Sequence, residues 1–153
     1  MLPPGERGVI GGATRSESVR NGLAQVPDDA DIVVVHDAAR PLAAPALFGA
    51  VIDAVKAGAD AAIPVVPLSD TVKRIDGERV VETVDRSSLV AVQTPQAFRA
   101  DMLRKAHAAG GEATDDAALV EAIGGTVVVV EGEHTNIKIT TPDDLRIAEA
   151  LLR

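Results

Sequence analysis

The chain contains no cysteine, no tryptophan and no tyrosine, and its only aromatics of the Phe/Trp/Tyr class are Phe48 and Phe98. Without cysteine there are no disulfides, no thiolate zinc sites and no thiol nucleophile, and the redox compartment is left open. With only two aromatic faces of that class, a platform on which single-stranded nucleic acid stacks is not expected. Basic residues are also few: 15 Lys and Arg stand against 23 Asp and Glu, a formal net charge of −8. That balance argues against a nucleic-acid backbone as the main partner. A small anionic ligand stays compatible, because a few local cations outweigh a distant negative surface. No run approaches the roughly 18 apolar residues of a membrane span. Met1 to Gly8 is rich in Pro and Gly instead of signal-like, so a cytoplasmic protein with no membrane partner is expected. What is present is 46% hydrophobic residues in a chain of 153, enough for one domain with a core of Val, Ile, Leu and Ala.

Two kinds of segment alternate. Ile32–Val35 (IVVV), Ala61–Pro67 (AAIPVVP) and Thr126–Val130 (TVVVV) are unalternating apolar runs, as in strands of a parallel sheet covered on both faces. Between them the spacing is helical. Val19 and Leu23 mark a helix over Ser16–Gln25, and Leu47, Val51, Ile52 and Val55 mark one over Pro45–Ala57. Arg99–Ala109 and Asp115–Ile123 follow, the latter with Thr114 as its expected N-cap. The last helix opens Thr141-Pro142-Asp143-Asp144, with a cap, a proline at N1 and two acids in the first turn. Strand and helix in turn predict a single α/β layered domain over 1–153. Asp70–Gln93 breaks the rhythm. Short alternating strands around Asp76-Gly77 predict a projecting β-hairpin, whose apolar side (Ile75, Val80, Val84) calls for cover by a partner subunit.

Ligands of open α/β sheets bind beyond the carboxyl ends of the strands, so the residues after each apolar run matter most. His36-Asp37-Ala38-Ala39-Arg40-Pro41 places a carboxylate and a guanidinium three residues apart. Asp37 suits a hard cation such as Mg²⁺ and Arg40 a phosphate; a local Asp–Arg ion pair is the alternative. His36 is expected to pack or hydrogen-bond at the strand end. In Gly11–Ser18 (GGATRSES) a glycine pair leads into a helix, where backbone amides and the Ser18 hydroxyl could hold an anion. A capped turn accounts for the same residues, and the string is not a Walker P-loop. Arg86, after the hairpin's return strand, and Lys138, between the last strand and the last helix, are further cations, although a lone Lys in a strand is usually just solvated.

Taken together, GGATRSESV at 11–19, HDAARP at 36–41, DTVK at 70–73, TVDR at 83–86, QTPQ at 93–96, TDDA at 114–117 and NIKITTPDDL at 136–145 occur in one order and at compatible spacings. In this they resemble the 2-C-methyl-D-erythritol 4-phosphate (MEP) cytidylyltransferases of non-mevalonate isoprenoid biosynthesis. The resemblance runs from about Gly11 to the chain's end. It implies a Rossmann-like, mostly parallel sheet flanked by helices, with a projecting hairpin arm at about 70–93 through which a homodimer forms. It also implies a nucleotidyltransferase whose small-molecule substrates are CTP and MEP. A phosphate oxygen of MEP attacks the α-phosphorus of Mg²⁺-bound CTP in line, giving 4-diphosphocytidyl-2-C-methyl-D-erythritol and pyrophosphate.

Carried over residue by residue, Arg86 and Lys138 are the catalytic cations that position the MEP phosphate. Arg40, Thr71, Thr94 and Thr114 are substrate contacts, with Thr71 and Arg86 acting across the dimer interface. Gly12, Ser18, Asp37 and Ala38 are nucleotide contacts, and Asp37 also stands beside the metal. Ala13 departs from members that carry Asp there. The family's opening strand and glycine-rich loop, with its Arg and Pro-Lys pair, have no counterpart between Met1 and Ile10. The resemblance therefore implies an incomplete domain, lacking its N-terminal βαβ portion and main triphosphate clamp. A ribitol 5-phosphate cytidylyltransferase shares much of the pattern, and a non-catalytic dimerising remnant is the alternative among binding modules. A receiver domain with Asp37 as phosphoacceptor is disfavoured, because Lys138 is followed by Ile139 where that fold has proline.

Overall fold

Three apolar runs, short and rich in the β-branched residues that favour extended backbone, form three strands of the main sheet. The computed structural model describes residues 6–111 and 113–152. Along the chain lie α1 (Arg15–Leu23), β1 (Ile32–Val35), α2 (Pro45–Lys56), β2 (Ala61–Pro67), β3 (Lys73–Asp76), β4 (Arg79–Thr83), β5 (Val90–Val92), β6 (Gln96–Arg99), α3 (Ala100–Ala108), α4 (Asp116–Ala122), β7 (Val127–Glu131) and α5 (Pro142–Leu151). Among the described residues no helix is long and apolar enough to cross a membrane.

β2 is the hub of the sheet. β7 runs parallel along one side, with Ala61–Val65 opposite Val127–Glu131. β5 and β6 run antiparallel along the other, as two pieces of one line interrupted at Thr94-Pro95. β6 then pairs antiparallel with β1, from Ile32 opposite Arg99 to Val35 opposite Gln96. The α/β class, the flanking helices and the projecting hairpin agree with the sequence reading. The pairing needs one correction: β1, β2 and β7 point the same way, but β5/β6 enters against them, so the ladder is mixed instead of mostly parallel. QAFR is too short to announce a strand, and Thr94-Pro95-Gln96 reads locally as a turn. The hairpin is correspondingly shorter than 70–93. It consists of β3 and β4 around Gly77, whose positive φ of 56° suits glycine. Val90–Val92 belong to the main sheet. On the arm Ile75, Val80 and Val81 are 65%, 61% and 56% exposed, whereas Val84 is half-buried, so Val81 and not Val84 completes the exposed apolar set.

Strand alternation sorts the core onto two faces. Ala62 and Ala97, with Ile32, Val34, Val128 and Val130, pack under Val51 and Val55 of α2. Ala61, Ile63 and Phe98 face Leu23 of α1, Leu103 and Ala106 of α3, and Ala117, Leu119 and Val120 of α4. Alanine at so many contacts lets helices lie close on the sheet, which is how a core with so little aromatic volume fills itself. α4 is capped by Asp115, whose carboxylate accepts from the Ala118 amide; Thr114, the expected cap, lies one residue earlier and stays exposed.

α5 opens as its sequence predicts. The Thr141 hydroxyl accepts from the Asp144 amide, while the Asp144 carboxylate accepts from the amides of Thr140 and Thr141 and from the Thr140 hydroxyl. Those donors lower the Asp144 pKa from 3.8 to about 2. A carboxyl depressed in the folded state stabilises it above the ordinary pKa, and that contribution is lost as pH falls through the folded value. Protection of the Thr140 and Thr141 amides relative to their intrinsic exchange rates should therefore fall between about pH 4 and pH 2, and Asp144→Ala should show the low protection already at neutral pH. Protection in the parent that is flat across this range would contradict the cap.

Candidate functional site

At the carboxyl end of β1 three connections meet: 36–41 after β1, 93–95 between β5 and β6, and 132–141 after β7. Two hydrogen-bonded knots hold them. In the first, the Asp37 amide donates to Thr94 Oγ1 at 3.0 Å, Thr94 Oγ1 lies 3.1 Å from His36 Nδ1, and His36 Nε2 lies 3.1 Å from the Arg40 carbonyl. A carbonyl can only accept, so His36 Nε2 carries a proton and donates to it, and Nδ1 shares a hydrogen bond with the Thr94 hydroxyl. The ring also packs on Phe48, with centroids 5.1 Å apart. In the second knot, buried Asn136 donates through Nδ2 to the Thr94 carbonyl at 2.9 Å and to Gln93 Oε1 at 3.3 Å. Gln93 in turn donates to the Glu133 carbonyl and accepts from its amide. The Ile139 amide, donating to the Ala39 carbonyl at 2.8 Å, closes the last connection onto the first.

These knots present charge to a cavity of about 280 Å³ whose lining includes Arg15, Asp37, Arg40, Thr114, Gln96 and Lys138. Lys138 Nζ pairs with Asp37 Oδ2 at 2.9 Å. Arg40 Nη1 donates to the Asn136 carbonyl at 2.7 Å, and its shielded Nε finds no partner among the described residues. Burial lowers the Arg40 pKa and the nearby Asp37 charge partly offsets this. The local Asp–Arg pair is thus replaced by an Asp37–Lys138 pair, which leaves Arg40 N–H groups for a ligand. A larger cavity of about 490 Å³ lies at the opposite end of β1, but its cations are already engaged. There Arg99 pairs with Asp60 and Asp101, and Arg104 donates to the carbonyls of Val26 and Pro27.

Of the residues singled out in the sequence, Asp37, Arg40, Thr94, Thr114 and Lys138 come together here. Thr94 is buried, with its hydroxyl engaged by Asp37 and His36, so it aims the Asp37 loop. Ala38 is exposed on that loop. Gly12 and Ser18 turn inward on their own segment: the Gly12 amide donates to Ser18 Oγ at 3.0 Å, and that hydroxyl donates to the Thr14 carbonyl at 2.9 Å. A Cβ at Gly12 would run into the Glu17 side chain. Thr71 is exposed at the base of the arm, where Arg86 Nη1 donates to the carbonyls of Leu68, Ser69 and Asp70; neither lines the cavity of its own chain. Sequence reasoning passed over Arg15, Gln96, Asp116 and His107. Arg15, Gln96 and Asp116 lie within the motifs GGATRSESV, QTPQ and TDDA, where no role was given to them, and His107 stands on the buried face of α3, four residues after Leu103.

Among the described residues no three His, Cys, Asp or Glu side chains gather as a metal site. Asp37 alone still fits Mg²⁺, which is commonly held by one or two carboxylates together with substrate phosphates and water.

The family described as "IspD: 2-C-methyl-D-erythritol 4-phosphate cytidylyltransferase" matches residues 6–153. The curated 2-C-methyl-D-erythritol 4-phosphate cytidylyltransferase of Nocardia farcinica is 54% identical over 155 residues, covering 99% of this chain and 67% of its own length. That of Rubrobacter xylanophilus is 54% identical over 146 residues, covering 92% and 63%. The chain thus spans about two thirds of these relatives. The crystal structure of the Thermus thermophilus protein of that name matches with a TM-score of 0.87 at 43% identity, over 99% of this chain and 80% of that one. The Francisella tularensis structure matches at 0.82 and 36%, over 92% and 69%.

Asn136→Ala should expose how far the site depends on its second knot. It removes both Nδ2 bonds and leaves the buried Thr94 carbonyl unpaired, a cost of about 1–3 kcal/mol. Urea denaturation should show that loss, and a variant as stable as the parent would contradict the role given to Asn136.

Proposed function

The chain belongs to the 2-C-methyl-D-erythritol 4-phosphate cytidylyltransferase family, and from that premise we propose that it serves transfer of the cytidylyl group of CTP to MEP in non-mevalonate isoprenoid biosynthesis. A phosphate oxygen of MEP forms a bond to the α-phosphorus of CTP, the bond from that phosphorus to the bridging oxygen breaks, and pyrophosphate leaves. The observation that carries this reading is the cavity itself: a shielded arginine with an unused N–H and a lysine, at the carboxyl end of β1. The physical obstacle to the reaction is an anion approaching an anion, so positioning and charge neutralisation dominate catalysis.

On this reading Arg40 and Lys138 receive the acceptor phosphate and the exposed Thr114 hydroxyl binds beside it. Asp37, Ala38, Gly12 and Ser18 belong to the nucleotide side. Mg²⁺, held by Asp37 and triphosphate oxygens, would lower the charge on the nucleotide. The Asp37–Lys138 pair keeps both groups compensated until a cation and an anion replace each as the other's partner. Arg86 and Thr71 lie outside the cavity of their own chain and serve the partner's site in a homodimer. The exposed Ile75, Val80 and Val81 of the arm supply apolar surface for that contact.

Calorimetric titration tests the acceptor half and pyrophosphate release the chemistry. MEP should bind the chain more tightly than ribitol 5-phosphate, and Lys138→Ala should weaken MEP by about 2 kcal/mol, roughly 30-fold, as expected for a hydrogen bond to a charged group. Asp37→Asn should raise the Mg²⁺ concentration needed for CTP to bind. Preference for ribitol 5-phosphate, or pyrophosphate release that ignores the acceptor, would overturn the reading.

A further inference from the structure

We propose that Arg15 is a third cation of the acceptor pocket, and that a buried His107–Asp116 pair sets its orientation. This rests on the acceptor assigned above. Arg15 opens α1, Asp116 opens α4 and His107 sits in the last turn of α3, so three helices converge on one carboxylate. Asp116 is wholly buried. Its Oδ1 lies 3.0 Å from His107 Nε2 and its Oδ2 lies 2.8 Å from Arg15 Nη2. Burial pushes the Asp116 pKa up, but the hydrogen bonds from His107 and Arg15, with the Arg15 charge, bring it below the ordinary value. The carboxylate therefore stays ionised and holds one edge of the guanidinium fixed.

The other edge is not used up. A guanidinium offers five N–H groups in a rigid plane. Arg15 Nη1 is shielded from solvent, yet it has no hydrogen-bond partner among the described residues. The side chain is 31% exposed and lines the same cavity as Arg40, Lys138 and Thr114. Arg40 Nε and Gln96 Oε1, from two more residues of that lining, are likewise unpaired. Buried polar atoms left without partners are uncommon; three of the six found among the described residues come from this one cavity lining and point to a ligand that completes them. Two guanidinium donors, an amide oxygen and the Thr114 hydroxyl match a phosphorylated polyol: the phosphate accepts from the arginines, and an alcohol donates to the amide. A pair that served only to bolt α1 to α4 would need a positive charge against Asp116, not a planar fork with one edge open. Ser16 makes that bolt separately, its Oγ accepting from the Ala113 amide at 3.4 Å.

The test titrates MEP, ribitol 5-phosphate and Mg²⁺-CTP separately into the full chain, alongside thermal denaturation. Arg15→Gln should weaken MEP about tenfold or more while CTP affinity changes by less than about twofold. Arg15→Lys keeps the ion pair to Asp116 but loses the fork, so its melting should match the parent while its MEP affinity stays well below it. His107→Leu should weaken MEP in the same direction, and His107→Gln, which retains an N–H donor, should recover most of the loss. MEP affinity in Arg15→Lys equal to the parent's would reduce Arg15 to a structural bolt and overturn the proposal, as would a loss confined to CTP or shared equally by CTP and MEP. The parent's preference between the two polyol phosphates judges the acceptor assignment by itself. A parent that binds neither would overturn both.

Discussion

Asn136 carries no charge and touches no solvent, yet three segments of the candidate site end on it. Its amide group holds the Thr94 carbonyl and Gln93 Oε1, and its own carbonyl receives Arg40 Nη1. Through Gln93 it also fixes Glu133 at the start of the last connection. Loops are costly to order, and here the ordering comes from buried amide hydrogen bonds and not from apolar packing. That choice suits the proposed anion site, because amide groups hold backbone in place without adding a charge that would compete for the cations.

The cations themselves are placed under restraint. In a chain of net charge −8 the cavity gathers Arg15, Arg40 and Lys138, and each has a different restraint. Lys138 is matched by Asp37 and Arg15 by Asp116, whereas Arg40 is held by backbone carbonyls. Each arrangement engages part of the group's donors and leaves the rest. The result is a pre-oriented set of donors with little excess positive charge, which on the proposed function lowers the reorganisation needed to bind the substrate phosphate.

The scarcity of aromatic residues shapes the scaffold in the same economical way. Ala61, Ala62, Ala97, Ala106 and Ala117 occupy core positions where larger side chains would push helix from sheet. Close layers bring the N-termini of α1 and α4 near enough for Arg15 to reach Asp116 and, from there, the cavity. Phe48 contributes by packing against His36, which ties the outer helix α2 to the loop that carries Asp37.

By itself the sequence determined the α/β alternation, the three apolar strands, four helices to within one or two residues and the start of the fifth, and the placing of Asp37 and Arg40 just past the end of the first apolar run. Each of these follows from local spacing or from residues adjacent to a strand end. It also displayed seven motifs whose order led to the family, and only that resemblance marked Thr114 and Lys138 as binding residues. Only tertiary structure decided the rest. The antiparallel entry of β5/β6 depends on pairing between segments well separated along the chain, which no local period records. The replacement of an Asp37–Arg40 pair by Asp37–Lys138 joins opposite ends of the chain, and the His107–Asp116–Arg15 chain needs three helices packed together. Short-range pattern reports backbone propensity and burial, whereas the partner of a charge is set by which distant segment folding brings beside it.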